Sequence, residues 1–195
     1  MRQIFLLLGV CVYGFSSQLN IAPKVMNSLV EKKFVVCIPS YNNENYFERN
    51  LDSIRTQHYS NFRVIYVDDA STDSTHDKVL NYLERYPEFA KKVEFILNPV
   101  NQGAMCNLYH MIHSSEDDAI IITLDGDDWL AHKYVLRRIN QAYLDPNVWV
   151  TYGTFKTCPR DIIGPHKAVD LNILKDGEHR NIPFMWSHLR TFYAK

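Results

Sequence analysis

Several absences narrow the field before any motif is read. No glycine-rich phosphate loop occurs: neither GxGxxG nor GxxxxGKS/T is found in the 195 residues. A bound diphosphate would therefore lack the usual cradle of backbone amides at a helix start. No charge of one sign dominates, with 21 Lys+Arg against 22 Asp+Glu and a net of −1. That leaves no basic excess to hold nucleic acid by counterion release. Only seven Gly and eight Pro are present, which excludes collagen-like and low-complexity chains. The longest apolar run, Ile4 to Phe15, has 12 residues, short of the roughly 20 needed to span a bilayer as a helix. Cysteine is scarce, at four.

What remains is ordinary globular composition, 46% apolar and 22% charged, rich enough to bury a real core. Met1-Arg2-Gln3, the apolar run and then Ser16-Ser17-Gln18 read as a signal peptide or hydrophobic leader over residues 1–17. Setting Cys11 aside with it leaves Cys37, Cys106 and Cys158, an odd number. They are expected as buried thiols and not as a disulfide framework. No Asn-x-Ser/Thr acceptor exists in the chain. The leader points to the secretory pathway or a membrane, the thiols to the cytoplasm.

From residue 34 a rhythm begins. Short apolar runs at Phe34–Ile38, Phe62–Val67, Val93–Leu97, Ala119–Leu124 and Val148–Tyr152 alternate with segments of helical spacing. Phe47, Leu51, Ile54 and His58 mark the first helix, Val79, Leu80 and Leu83 the second, and Leu108, Met111 and Ile112 the third. A fourth is expected from His132 to Leu144. This alternation predicts βαβ units and a mainly parallel sheet with helices on both faces. Asp73 and Ser71 fit best as helix caps. After Gly153 the pattern lapses. Residues 154–185 read as irregular loop, and Trp186 to Lys195 as the beginning of a helix.

Open α/β sheets bind ligands at the carboxyl ends of their strands. Four polar clusters stand there: Pro39-Ser-Tyr-Asn42, Asp68 to Asp73, Asn98 to Gly103, and Asp125-Gly-Asp-Asp128. The last is the sharpest. Three carboxylates in four positions repel unless a cation joins them, and hard oxygen ligands suit Mn²⁺ or Mg²⁺; taken alone, the cluster reads equally as an acidic turn capping the helix that begins near His132. Gly126 lets the backbone approach a neighbour closely. Asp68 and Asp69 are placed to accept hydrogen bonds from a base or ribose, and Tyr41 to stack on a flat ring. With no glycine-rich loop, a metal must carry the diphosphate.

Together, Val36-Cys-Ile-Pro-Ser-Tyr-Asn42, Val67-Asp-Asp-Ala-Ser-Thr-Asp73, Asn101-Gln-Gly103 with Asn107, and Leu124-Asp-Gly-Asp-Asp-Trp-Leu130 resemble glycosyltransferase family 2, inverting enzymes of the GT-A fold. The resemblance covers residues 33–153. It implies that Pro39 and Tyr41 border a nucleobase, usually uracil, and that Asp69 bonds it with Asp68 nearby. Asn101, Gly103 and Asn107 would complete the donor side. Asp125 and Asp127 match the DxD motif that reaches ribose and a Mn²⁺ or Mg²⁺ ion, with Asp128 a further ligand. The reaction implied is sugar transfer from a UDP-sugar to a glycan, lipid or protein hydroxyl. The alternative is a truncated or non-catalytic relative that binds nucleotide sugar without turnover. A DxD phosphohydrolase fits less well, since Trp129 follows where that family wants Thr or Val.

Two departures stand out. Cys106 occupies a position where the family often has Arg. Residues 154–195 look like only part of an acceptor side, and no catalytic base is identified. Asp170, Asp176, Glu178, His188 and Arg190 are the charged or titratable side chains there. Phe184, Met185, Trp186 and Phe192 are expected to expose an apolar surface for a missing segment or partner chain.

Overall fold

The computed structural model describes residues 3–6, 11–12, 30–153, 155–162 and 189–194. Its strands are β1 (Gln3–Leu6), β2 (Cys11–Val12), β3 (Phe34–Ser40), β4 (Phe62–Asp68), β5 (Val93–Leu97), β6 (Ile120–Thr123), β7 (Trp129–Leu130), β8 (Val150–Tyr152), β9 (Lys156–Cys158) and β10 (Arg190–Tyr193). Its helices are α1 (Phe47–Arg55), α2 (Thr75–Arg85), α3 (Pro87–Ala90), α4 (Ala104–His113) and α5 (Val135–Ala142).

All seven residues of β3 are buried, as a strand covered on both faces demands. It pairs in parallel with β4 on one side and β6 on the other, and β4 pairs in parallel with β5. The described sheet runs β2-β8-β10-β6-β3-β4-β5. A smaller described sheet runs β7-β1-β9. One face carries Phe34, Val36, Ile38, Val64 and Tyr66, packed against Leu51 and Ile54 of α1, Val79 and Tyr82 of α2, and Leu136 and Ile139 of α5. The other face carries Val35, Cys37, Ile65 and Ile121 against Met111 and Leu108 of α4. Alternate residues of one strand thus feed two cores.

The C-terminal expectations need correction. Residues 190–193 form a strand and not the start of a helix. β10 lies antiparallel between β6 and β8, with Thr191 opposite Ile122 and Thr151. Thr191 is fully buried and its hydroxyl bonds those of Tyr143 (2.9 Å) and Thr151 (2.6 Å). A β-branched residue followed by two aromatics suits a pleated strand, but only the open edge of β6 selects that state. The sheet is therefore mixed, and β8 does not extend its parallel half. Phe192 is not an exposed apolar residue: it is partly buried and packs on the Val35–Cys37–Ile121 cluster. Phe184, Met185 and Trp186 lie outside the described residues. Cys37, Cys106 and Cys158 are free thiols, but only Cys37 is buried. Burial pushes its pKa up to about 12, which makes it an inert core residue.

Candidate active site

Parallel pairing brings the carboxyl ends of β5, β4, β3 and β6 to one edge. Ser40, Asp68 and Leu97 stand side by side in register. All four polar clusters of the sequence therefore meet there.

The loops after β3 and β4 are stitched together. Asn42 N donates to Ser71 Oγ (2.9 Å), Thr72 N to Asn42 Oδ1 (2.8 Å), Asn43 N to Thr75 Oγ1 (2.8 Å) and Glu44 N to Asp73 Oδ2 (3.2 Å). Asp73 also accepts from Thr75 N, 2.9 Å, in the first turn of α2. It is not the cap expected of it: the capping position is Ser74, which makes no side-chain capping bond, and Asp73 stands one residue before it, bracing Thr75 and the loop after β3. Ser71 instead ties the two loops. Pro39 is buried and its carbonyl accepts Gly126 N at 3.2 Å. Tyr41, by contrast, is 46% exposed.

Asp68 is fully buried. Its Oδ1 accepts Ser71 N at 2.9 Å, while Oδ2 has no hydrogen-bond partner and lies 4.0 Å from His76 Nδ1. Asp69 is 3% exposed and already engaged. Oδ1 accepts Asn98 Nδ2 (2.7 Å) and Gln102 N (2.9 Å), and Oδ2 accepts Gly103 N (2.8 Å). A carboxylate offers about four acceptor positions, so most of its capacity holds the loop that carries Asn101 and Gly103. Gly103 needs its freedom there, with φ 86°. Asn107 is buried, its Oδ1 accepts Asn98 Nδ2 (2.8 Å), and Asn101 is exposed.

Burial raises the Asp69 pKa, but the bonds from Gln102 N, Asn98 Nδ2 and Gly103 N, with the Asn107 amide beside them, outweigh it and hold the carboxyl below its ordinary 3.8. A depressed pKa gives stability that is present above the ordinary carboxylate range and is lost as pH falls through the lowered value. Asp69→Asn turns one acceptor into a donor facing backbone N–H groups, at a cost of about 1–3 kcal/mol. Thermal melts of wild type and variant should differ by that amount at neutral pH and converge in acid. A difference independent of pH would contradict this role.

In the Asp125–Asp128 turn, Asp128 N donates to Asp125 O at 3.0 Å. Asp125 and Asp127 are partly exposed, whereas Asp128 is 2% exposed. Burial thus sets Asp128 apart from the other two. Gly126 is buried, and a Cβ on it would stand 2.8 Å from Ser40 Oγ and 2.9 Å from Ser40 Cβ. The close approach expected of this glycine is made to the end of β3. Among the described residues no three His, Cys, Asp or Glu groups gather to hold a metal. The residues present fit a metal that takes one or two carboxylates and completes its shell from water and substrate phosphate.

Sequence reasoning missed Asn50, whose side chain bonds the backbone of this turn. It also missed that β10 sets Arg190 opposite Thr123, two positions before Asp125. Asp170, Asp176, Glu178 and His188 lie outside the described residues. Cavities also open among the described residues, one away from this edge and one reaching its Asn98, Gln102 and Asn107. One of about 400 Å³ is lined by Arg55, Phe62, Tyr86 and Lys92 at the amino ends of β4 and β5. One of about 370 Å³ lies between β5 and α4.

Comparison with known proteins agrees with this geometry. The family model for glycosyl transferase family 2 matches residues 35–193. An uncharacterised glycosyltransferase of Haemophilus influenzae is 26% identical over 152 residues, covering 75% of this chain and 58% of the relative. The UDP-Glc:α-D-GlcNAc-diphosphoundecaprenol β-1,3-glucosyltransferase WfgD of Escherichia coli is 24% identical over 147 residues, covering 72% and 54%. The chain thus spans little more than half the length of these curated relatives. Among solved structures, the mannosyltransferase PcManGT of Pyrobaculum calidifontis, in complex with GDP-Man and Mn²⁺, superposes with a TM-score of 0.56 at 25% identity, covering 62% of this chain and 35% of that one.

Proposed function

The chain belongs to glycosyl transferase family 2, and from that premise we propose that it moves a sugar from a nucleotide-diphosphate donor, UDP-linked, to an acceptor hydroxyl with inversion and with help from Mn²⁺ or Mg²⁺. The observation that carries this reading is the meeting of Tyr41, Asp68, Asp69, the Asn101–Gly103 loop and the Asp125–Asp128 turn on adjacent strand ends. Tyr41 offers an exposed ring for a base. Asp69 holds the loop beside it in place and retains capacity for a ligand N–H. Asp125 and Asp127 would hold the metal, which when bound offsets charge building on the departing diphosphate. Inversion also needs a general base to take the acceptor proton, a role assigned to no described residue.

The relatives support a nucleotide-sugar donor but differ in base. The E. coli protein is described with UDP-Glc and the archaeal structure with GDP-Man. Titration of UDP and GDP, each with Mn²⁺, tests the uridine assignment. UDP should bind more tightly. Tyr41→Ala should weaken it about tenfold, as expected from a base-stacking share of about 1–3 kcal/mol. Equal affinity for GDP, or no effect of Tyr41→Ala, would overturn the assignment of this base and this platform.

A further inference from the structure

We propose that Asn50 is the positioning residue of the Asp125–Asp128 turn, so that α1, and not the sheet alone, sets where the metal-facing carboxylates stand. This rests on the function proposed above. Asn50 is fully buried on α1. Its Nδ2 donates to Asp125 O at 3.0 Å and to Asp128 O at 2.7 Å, at the two ends of the turn. Both bonds go to main-chain carbonyls, so they fix the turn without consuming the carboxylates of Asp125 and Asp127.

The turn needs such a hold. β6 ends at Thr123, and beyond it the backbone is tied to β3 through Leu124 N to Cys37 O (3.0 Å) and Gly126 N to Pro39 O (3.2 Å). α1 adds a polar stripe. After Asn50, Ser53 Oγ accepts Leu130 N at 3.0 Å. Gln57 follows, just past the end of the helix. Its Nε2 donates to His132 O (2.8 Å) and its Oε1 accepts Leu136 N (3.1 Å). Positions 50, 53 and 57 share one side at helical spacing, and together they engage the backbone from residue 125 to 136.

Asn50 is a costly choice as a mere core residue. Its Oδ1 is buried with no hydrogen-bond partner, a penalty that an apolar residue would avoid. Turning the amide over would set that oxygen against two carbonyl oxygens, so the neighbours fix its orientation. The amide is explained by what its nitrogen does to the turn.

The test compares Asn50→Leu with Gln57→Leu, which removes similar bonds from the same stripe but away from the carboxylates. Asn50→Leu should weaken Mn²⁺-dependent UDP binding about tenfold or more, the range seen when groups that orient metal ligands are removed. Amide exchange at Gly126 and Asp128 should quicken. Gln57→Leu should melt at a lower temperature yet keep both properties. Asn50→Ser, a milder change that leaves a hydroxyl donor for at most one carbonyl, should fall between wild type and Asn50→Leu, and serves if the latter does not fold. Wild-type affinity and exchange in the Asn50 variants, or equal losses in Gln57→Leu, would overturn the proposal. If the wild type binds neither UDP nor GDP with Mn²⁺, the function proposed above fails, and amide exchange alone still decides whether Asn50 positions the turn.

Discussion

Asp127→Asn is expected to lower Mn²⁺-dependent UDP affinity at least about a hundredfold. Removing a group that merely orients a metal ligand costs about 10–100-fold, and this change removes ligand charge itself. The side chain is partly exposed at the end of β6, so the isosteric amide leaves packing intact and the melting temperature close to that of wild type. Residual binding without metal should be the same in both proteins. A variant with full metal-dependent affinity would show that the acidic turn is not the metal's seat. Asp128→Asn gives the contrast. Asp128 is 2% exposed, so that change should act first on stability.

The second large effect is expected from Gly126→Ala. A Cβ there would lie 2.5 Å from Asn43 Nδ2, 2.8 Å from Ser40 Oγ and 2.9 Å from Ser40 Cβ. Ser40 cannot yield: it is the last residue of β3, it is in register with Asp68, and its hydroxyl takes hydrogen bonds from Tyr66 (2.8 Å) and Asn43 (3.0 Å). The turn must move instead, at the expense of the bond from Gly126 N to Pro39 O. Overpacking of this kind costs about 1–3 kcal/mol. A melting temperature several degrees lower should accompany loss of Mn²⁺-dependent UDP binding. An alanine variant with wild-type stability and binding would mean that the turn has slack the structure does not show.

Much of the site was legible because parallel strands announce themselves. Each is a short apolar run ending abruptly in polar residues, and parallel pairing puts those ends together. Asp125, Asp127 and Tyr41 could be placed at the edge on that ground alone. What Asp69 and Asn50 do could not be read. An aspartate after a strand looks the same whether it faces a ligand or holds a loop 33 residues away. Asn50 is one polar position among several on an amphipathic helix. The available signal was that Asn50, Ser53 and Gln57, all polar and uncharged, repeat at helical spacing beside the Phe47–Leu51–Ile54 ridge. β10 was missed for another reason. Four residues carry too little periodicity to distinguish strand from helix, and their state is set by pairing with β6 and β8 across the fold.

The most direct measurement is calorimetric titration of UDP into the wild-type protein with Mn²⁺ and again with EDTA. No glycine-rich loop exists to carry the diphosphate, and the acidic turn would repel it unaided. Binding is therefore expected with metal, and its loss with chelator. Equal affinity in both would contradict a metal-bridged nucleotide-sugar site on this edge.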